Sequence, residues 1–265
     1  MTSAIPTLFL HGGPGLSAIG ERLVHRTSLP IDWWDEPRTV TTAPRPFCAL
    51  VDAAAERARA VAASSAGGKV HLVGHSFGAV LAHRLSLRMP ERIAAITLLA
   101  PTHDLADVFV RLASHVTQFV DDPAPLDEAI ARLLAAPRDF AAAQALFGLV
   151  FTVPDFLTAY WSPWADERRA WFGDLMQKEP VFDGAAFDAI AGDAWAELGP
   201  PAVSGFAGPV DIVYGDADVL VDAPASLPLW QGAFRQVTSR VVHAGHMIQL
   251  ESPAPAWWRA PDDIR

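Results

Sequence analysis

Gly74-His75-Ser76-Phe77-Gly78 sets a single serine between two glycines. The apolar run Val70–Val73 before it reads as a short buried strand, and Phe77 to Met89 as a helix, so Ser76 falls on the turn between them. On such a turn the hydroxyl is pushed outward. The helix N-terminus beneath it supplies partial positive charge, and the Phe77 N–H is aimed where an oxyanion would develop. A serine hydroxyl is a weak nucleophile at neutral pH, so it needs a histidine base, and that base needs an acid to fix its tautomer. Both occur downstream. Tyr214-Gly215-Asp216-Ala217-Asp218 and Val242-His243-Ala244-Gly245-His246 each follow a candidate strand. His246 is the expected base. Asp218 and Asp216 compete as the acid, with Asp104 as a third candidate. The chemistry this set would perform is acyl transfer through a covalent serine intermediate.

The elements that must position these residues alternate. Strands are predicted at Thr7–Leu10, Pro30–Trp34, Lys69–Val73, Ile93–Leu99, Val210–Tyr214 and Arg240–Val242. Helices are predicted over Cys48–Ala63, Phe77–Met89 and Ala225–Phe234, and from Pro253 onward; His11 to Gly15 is read as loop. Strand and helix in alternation make a parallel sheet, whose carboxyl-end loops gather ligands and catalytic groups. The alternation is interrupted between Asp104 and Gly205 by helical segments broken by eight prolines.

Composition excludes several classes. At 265 residues and 51% hydrophobic the chain can bury a full core as one domain with an insertion. Cys48 is the sole cysteine, so neither an intrachain disulfide nor a cysteine metal cluster can form, and no metal site is expected. A net charge of -10 with 20 Lys and Arg argues against a nucleic-acid partner. The start MTSAIPTLFLHGG has no basic residue before its short apolar stretch, and no run reaches membrane-spanning length, so no membrane association is expected and the location is read as cytoplasmic. Gly12 to Gly20 lacks the lysine and the spacing of a phosphate cradle. His11, His71 and His243 are read as structural, and His75 as a support for the turn.

The order Ser76, Asp218, His246 around a G-x-S-x-G turn resembles the α/β-hydrolase family. His11-Gly12-Gly13-Pro14-Gly15 is similar to the oxyanion loop of its proline iminopeptidase branch. Gly215-Asp216-Ala217-Asp218 and the run Gly245–Pro253 are similar to the family's acid and histidine segments. The resemblance covers roughly residues 5–103 and 208–258. It implies an α/β fold with a mostly parallel sheet, here six-stranded because the family's first two strands are absent. It implies a core of residues 1–103 and 208–265 with an all-helical cap inserted at 104–207. It favours Asp218 as the acid, makes the Gly13 and Phe77 N–H groups the oxyanion hole, and requires no cofactor. The activity implied is a serine hydrolase of a small ester or amide. The alternatives are a proline iminopeptidase-type aminopeptidase, or an acyltransferase, cyclase or thioesterase using the same triad.

The insertion departs from the iminopeptidase pattern. Those enzymes carry Trp-x-x-Trp-Glu, whose carboxylate takes the substrate amine, whereas here Trp161-Ser162-Pro163-Trp164 precedes Ala165. Asp166 or Glu167 would have to replace it, which makes Trp161, Trp164, Asp166 and Glu167 the substrate-binding candidates. The segment Asp104–Gly205 holds 16 acids and 6 bases, leaving 14 of each elsewhere, so it carries all the net charge. An amine-bearing or apolar small molecule is therefore the expected substrate, with any cap acids at the entrance attracting cations. Trp161, Trp164, Trp171 and Trp195, with the six phenylalanines Phe147, Phe151, Phe156, Phe172, Phe182 and Phe187, are expected mostly as core of the insertion. Nothing in the sequence sets the oligomeric state.

Overall fold

The computed structural model describes residues 5–195 and 197–264. Six parallel strands form one sheet: β1 (Thr7–Leu10), β2 (Ile31–Trp34), β3 (Val70–His75), β4 (Ile93–Leu99), β5 (Val210–Gly215) and β6 (Val237–Val242), in the order β2-β1-β3-β4-β5-β6. β1 and β3 are buried along their whole length, because a parallel sheet covered by helices on both faces needs apolar residues on both. Strand alternation divides them. Leu8, Leu10, Leu72 and Ile96 point to the core shared with α2 (Pro46–Ala62) and α3 (Phe77–Arg88), while Phe9, Val73, Leu99 and Val213 meet Ile248 and Trp257 on the other face.

One helix is present that the sequence does not announce, and one predicted helix is shorter than expected. Ile19–His25 form a helix, α1. Its apolar signal is too short to read alone, and Gly20, which lets it lie close to the Phe172 ring, reads as a loop residue. The helix predicted from Pro253 onward is a single turn, Ala254–Trp257, and a separate turn, Ile248–Glu251, precedes Ser252-Pro253. Between β4 and β5 lie α4 (Leu105–Val116), α5 (Ala124–Ala135), α6 (Phe140–Val150), α7 (Asp166–Lys178) and α8 (Gly184–Trp195). The next helices are α9 (Ala223–Ala233), α10 (Ile248–Glu251) and α11 (Ala254–Trp257). Among the described residues, no helix is long and apolar enough to cross a membrane.

His71 in β3 is fully buried, with Nε2 2.9 Å from Thr97 Oγ1 and Nδ1 3.4 Å from Thr7 Oγ1. Burial holds its imidazole down to about 3. The unfolded chain takes up that proton near pH 6.5 and the folded chain does not, so this stability is present above about pH 6.5 and is lost as pH falls toward about 3. The loss is about 1.4 kcal/mol per pH unit. We expect His71→Gln to reduce the pH slope of unfolding free energy by about that amount between about pH 6 and 4.5, whatever it does to absolute stability. Urea titrations across that range test it, and an unchanged slope refutes the neutral buried imidazole.

Candidate active site

The turn at Ser76 is built by close backbone crossing. Ser76 has φ 50° and ψ -115°, a conformation costing a non-glycine residue about 1–3 kcal/mol. It is pinned by its N–H, which donates to Leu99 O at 2.9 Å. A Cβ at Gly74 would lie 2.5 Å from Gly78 O, and a Cβ at Gly78 would overlap Leu10 O, so both positions admit only glycine without movement of the main chain. The Phe77 N–H opens α3 and, like the other first-turn donors of a helix, has no intrahelical acceptor.

His246 lies in the loop after β6. Its Nδ1 is 3.0 Å from Asp218 Oδ2, and both side chains are almost fully buried. Asp218 Oδ1 accepts from the N–H groups of Leu220 (2.8 Å) and Val221 (3.2 Å), which fixes the carboxylate as an acceptor toward the ring. With Nδ1 donating to that carboxylate, Nε2 is left to accept a proton. The competing acids are engaged elsewhere. Asp216 binds His243 Nδ1 at 2.9 Å and the Ala244 N–H at 3.1 Å, and its hydrogen bond to His243 holds its carboxyl below the usual range. Asp104 caps α4 through the Ala106 N–H. Ser76, His246, Gly12 and Gly13 line one cavity. Gly13 has φ 132°, a region open essentially to glycine alone.

Residues 42–253 of the chain match the alpha/beta hydrolase fold family. The chain belongs to that family. A proline iminopeptidase-related protein from Thermus thermophilus has a similar structure, with a TM-score of 0.64 and 22% identity over 95% of this chain and 85% of its own. An N-acyl homoserine lactone degrading enzyme follows the same fold, with a TM-score of 0.63 and 20% identity over 96% and 91% of the two chains. So does a thermophilic esterase from Thermogutta terrifontis, with a TM-score of 0.60 and 14% identity over 96% and 87%. No curated protein matches the chain.

Around the site of this α/β hydrolase, buried polar groups tie the loops together. His75 Nε2 is 3.0 Å from His246 O, and its Nδ1 is 3.2 Å from Gln249 Nε2, which also donates to Glu21 Oε1 at 2.9 Å. With Nδ1 accepting, His75 donates from Nε2; burial holds it well below its usual range and pushes the Glu21 carboxyl up. Glu36, also pushed up by burial, accepts from the Gly15 N–H at 3.0 Å and braces the glycine loop. His11 Nδ1 lies 2.6 Å from Gly12 O. Glu251 binds Ser162 Oγ, the Ser162 N–H (3.2 Å) and the Gly245 N–H (3.0 Å), joining the histidine loop to the segment before α7. The supporting roles of Glu21, Glu36, Gln249 and Glu251 escape sequence reasoning, because their partners are up to 228 positions away along the chain.

The cavity corrects the expectations about the insertion. Phe172 and Phe187 are buried in the core as expected, and Phe147, Phe156 and Phe182 pack against it, but all six phenylalanines also line the cavity, with Trp161, Tyr160 and Met247. No Asp, Glu, Lys or Arg is among the lining residues. Of the four binding candidates only Trp161 is there. Trp164 is 51% exposed and stacks on His243 at 3.7 Å; Asp166 pairs with Arg169, and both it and Glu167 sit in water on the first turn of α7. A carboxylate at a helix N-terminus gains from the dipole and keeps its hydration, so nothing drives it into an apolar cavity. The cavity volume is about 120 Å³, near the ~150 Å³ at which an apolar cavity takes up a benzene-sized group.

Proposed function

We propose that this α/β hydrolase is a serine hydrolase of small apolar esters or amides. The observation that carries this reading is the cavity itself, with Ser76, His246 and Gly13 on an otherwise aromatic and aliphatic wall. Ser76 Oγ attacks the carbonyl carbon while His246 Nε2 takes its proton, and Asp218 stabilises the imidazolium that forms. The Gly13 and Phe77 N–H groups receive the oxyanion. His246 then protonates the leaving group, and a water activated by the same nitrogen releases the acid. Residues 104–207 serve as the cap over a core formed by 1–103 and 208–265. The chemistry is carried by side chains and backbone donors of the chain. Labelling by a fluorophosphonate tests the nucleophile, and acid product formed in isotopically labelled water distinguishes hydrolysis from transfer to another acceptor.

Substrate charge separates this reading from the amine-binding one. An ammonium group brought into the cavity would meet no carboxylate on its wall, and burying an unpaired charge costs several kcal/mol. We expect a neutral ester to exceed its amine-bearing isostere in kcat/KM by at least about tenfold, with little dependence on salt. The double variant Asp166→Asn/Glu167→Gln should leave both values within about twofold, as expected of exposed charges. A preference for the amine that disappears in the double variant would reinstate the cap carboxylates as ligands.

A further inference from the structure

A second hollow of about 280 Å³ opens on the outside of the insertion, between α6 and α8. It is not independent of the catalytic cavity, because the rings of Phe109, Phe147, Phe151, Phe182 and Phe187 line both. Phe109 stacks on Phe147 at 4.8 Å, and the other four rings close a circuit: Phe147 to Phe151 is 4.2 Å between centroids, Phe151 to Phe182 6.2 Å, Phe182 to Phe187 6.1 Å, and Phe187 back to Phe147 4.9 Å. Only one layer of aromatic side chains therefore stands between the two spaces. The circuit is tightest at Phe147 and widest on both sides of Phe182. Phe151 is 43% exposed, a large apolar surface left in water.

The outer hollow is also kept open by glycine. Gly148 lies within α6, where glycine is less favourable than alanine, and a Cβ there would meet nothing within 4 Å. Gly184 lines the same hollow, and a Cβ there would touch only the Phe182 ring, at 3.8 Å. Gln144 and Asp188, hydrogen-bonded at 3.3 Å, add polar groups to an otherwise mostly apolar lining. A path that is apolar on both sides of a ring barrier favours a flexible, unbranched alkyl chain, which can pass between rings that turn aside; a rigid ring system or a charged group cannot.

We propose that the four phenylalanines gate a continuation of the catalytic cavity, through which the tail of a linear alkyl chain reaches the outer hollow. The preferred substrates then carry a chain longer than the inner cavity alone accommodates. This rests on the serine hydrolase reading above, whose substrate class it specifies.

The test is a chain-length profile with p-nitrophenyl esters from acetate to laurate, for the full-length wild type, Gly148→Trp and Phe151→Ala. A matching series of alkyl acetates places the chain in the alcohol half and shows which half uses the path. Gly148→Trp fills the outer hollow from a position with free space, and Gly184→Leu fills it from the opposite side. In the series that uses the path, either should lower the ratio of kcat/KM for a twelve-carbon chain to that for a four-carbon chain at least tenfold, and Phe151→Ala should raise it. An optimum at the shortest chain in both series, or ratios unmoved by all three variants in both, makes the circuit a wall and overturns the proposal. Isothermal titration calorimetry with 1-dodecanol, a neutral, flexible linear probe, reads the path without catalysis. Its affinity should fall at least fivefold in Gly148→Trp, and an unchanged affinity also overturns the gate. If no ester in either series is turned over and no fluorophosphonate label is taken up, the hydrolase reading has failed, and the probe still decides the path.

Discussion

Ser76→Ala is expected to abolish fluorophosphonate labelling and to lower kcat/KM for a neutral ester by at least about 10³-fold, and up to about 10⁶. The substitution removes one oxygen and keeps Cβ, so the backbone at φ 50° keeps the same steric demands and the N–H to Leu99 O hydrogen bond remains. Loss of activity with an unchanged melting temperature then reports chemistry alone. The acid assignment provides the contrast. Asp218→Asn removes the acceptor that fixes the His246 tautomer and should cost about 10⁴-fold in kcat, as in other triads of this kind. Asp216→Asn touches only His243 and the Ala244 N–H and should stay within a few-fold of wild type. Wild-type labelling of Ser76→Ala would remove Ser76 from the nucleophile role, and equal losses at the two aspartates would remove the distinction between them.

The second large effect is on stability. Gly78→Ala places a methyl group against the Leu10 carbonyl oxygen, and also close to His11 O at 2.7 Å. Neither obstacle is the end of a flexible side chain, so relief requires α3 to move away from β1, and the buried elements on both sides resist that. We expect a loss of at least about 3 kcal/mol in urea unfolding, or failure to accumulate as folded protein. Gly67→Ala, where a Cβ meets nothing within 4 Å, should stay within about 0.5 kcal/mol of wild type. Gly78→Ala with wild-type stability would mean that the close crossing beneath the turn is not what requires glycine there.

The Ser76 turn, the alternation of strand and helix and the ends of β5 and β6 were legible in the amino-acid sequence because each depends on short-range chemistry. An apolar run, a glycine pair and a following amphipathic stretch specify a strand, a sharp turn and a helix wherever they lie. Parallel topology then brings distant strand ends together, so Ser76 and His246 needed no long-range information to be nominated, while the family resemblance favoured Asp218 over Asp216. Which way a side chain faces after two elements pack is a different kind of fact. The six phenylalanines read as core filler from their apolarity alone, and only the placement of α6, α7 and α8 made the same rings, buried Phe172 and Phe187 among them, the wall of a cavity. The same holds for Glu21 and Gln249, 228 positions apart, whose polar atoms meet because α1 packs against α10. Burial that strips water from such groups leaves each dependent on its partner, and that pairing exists only once the chain has folded.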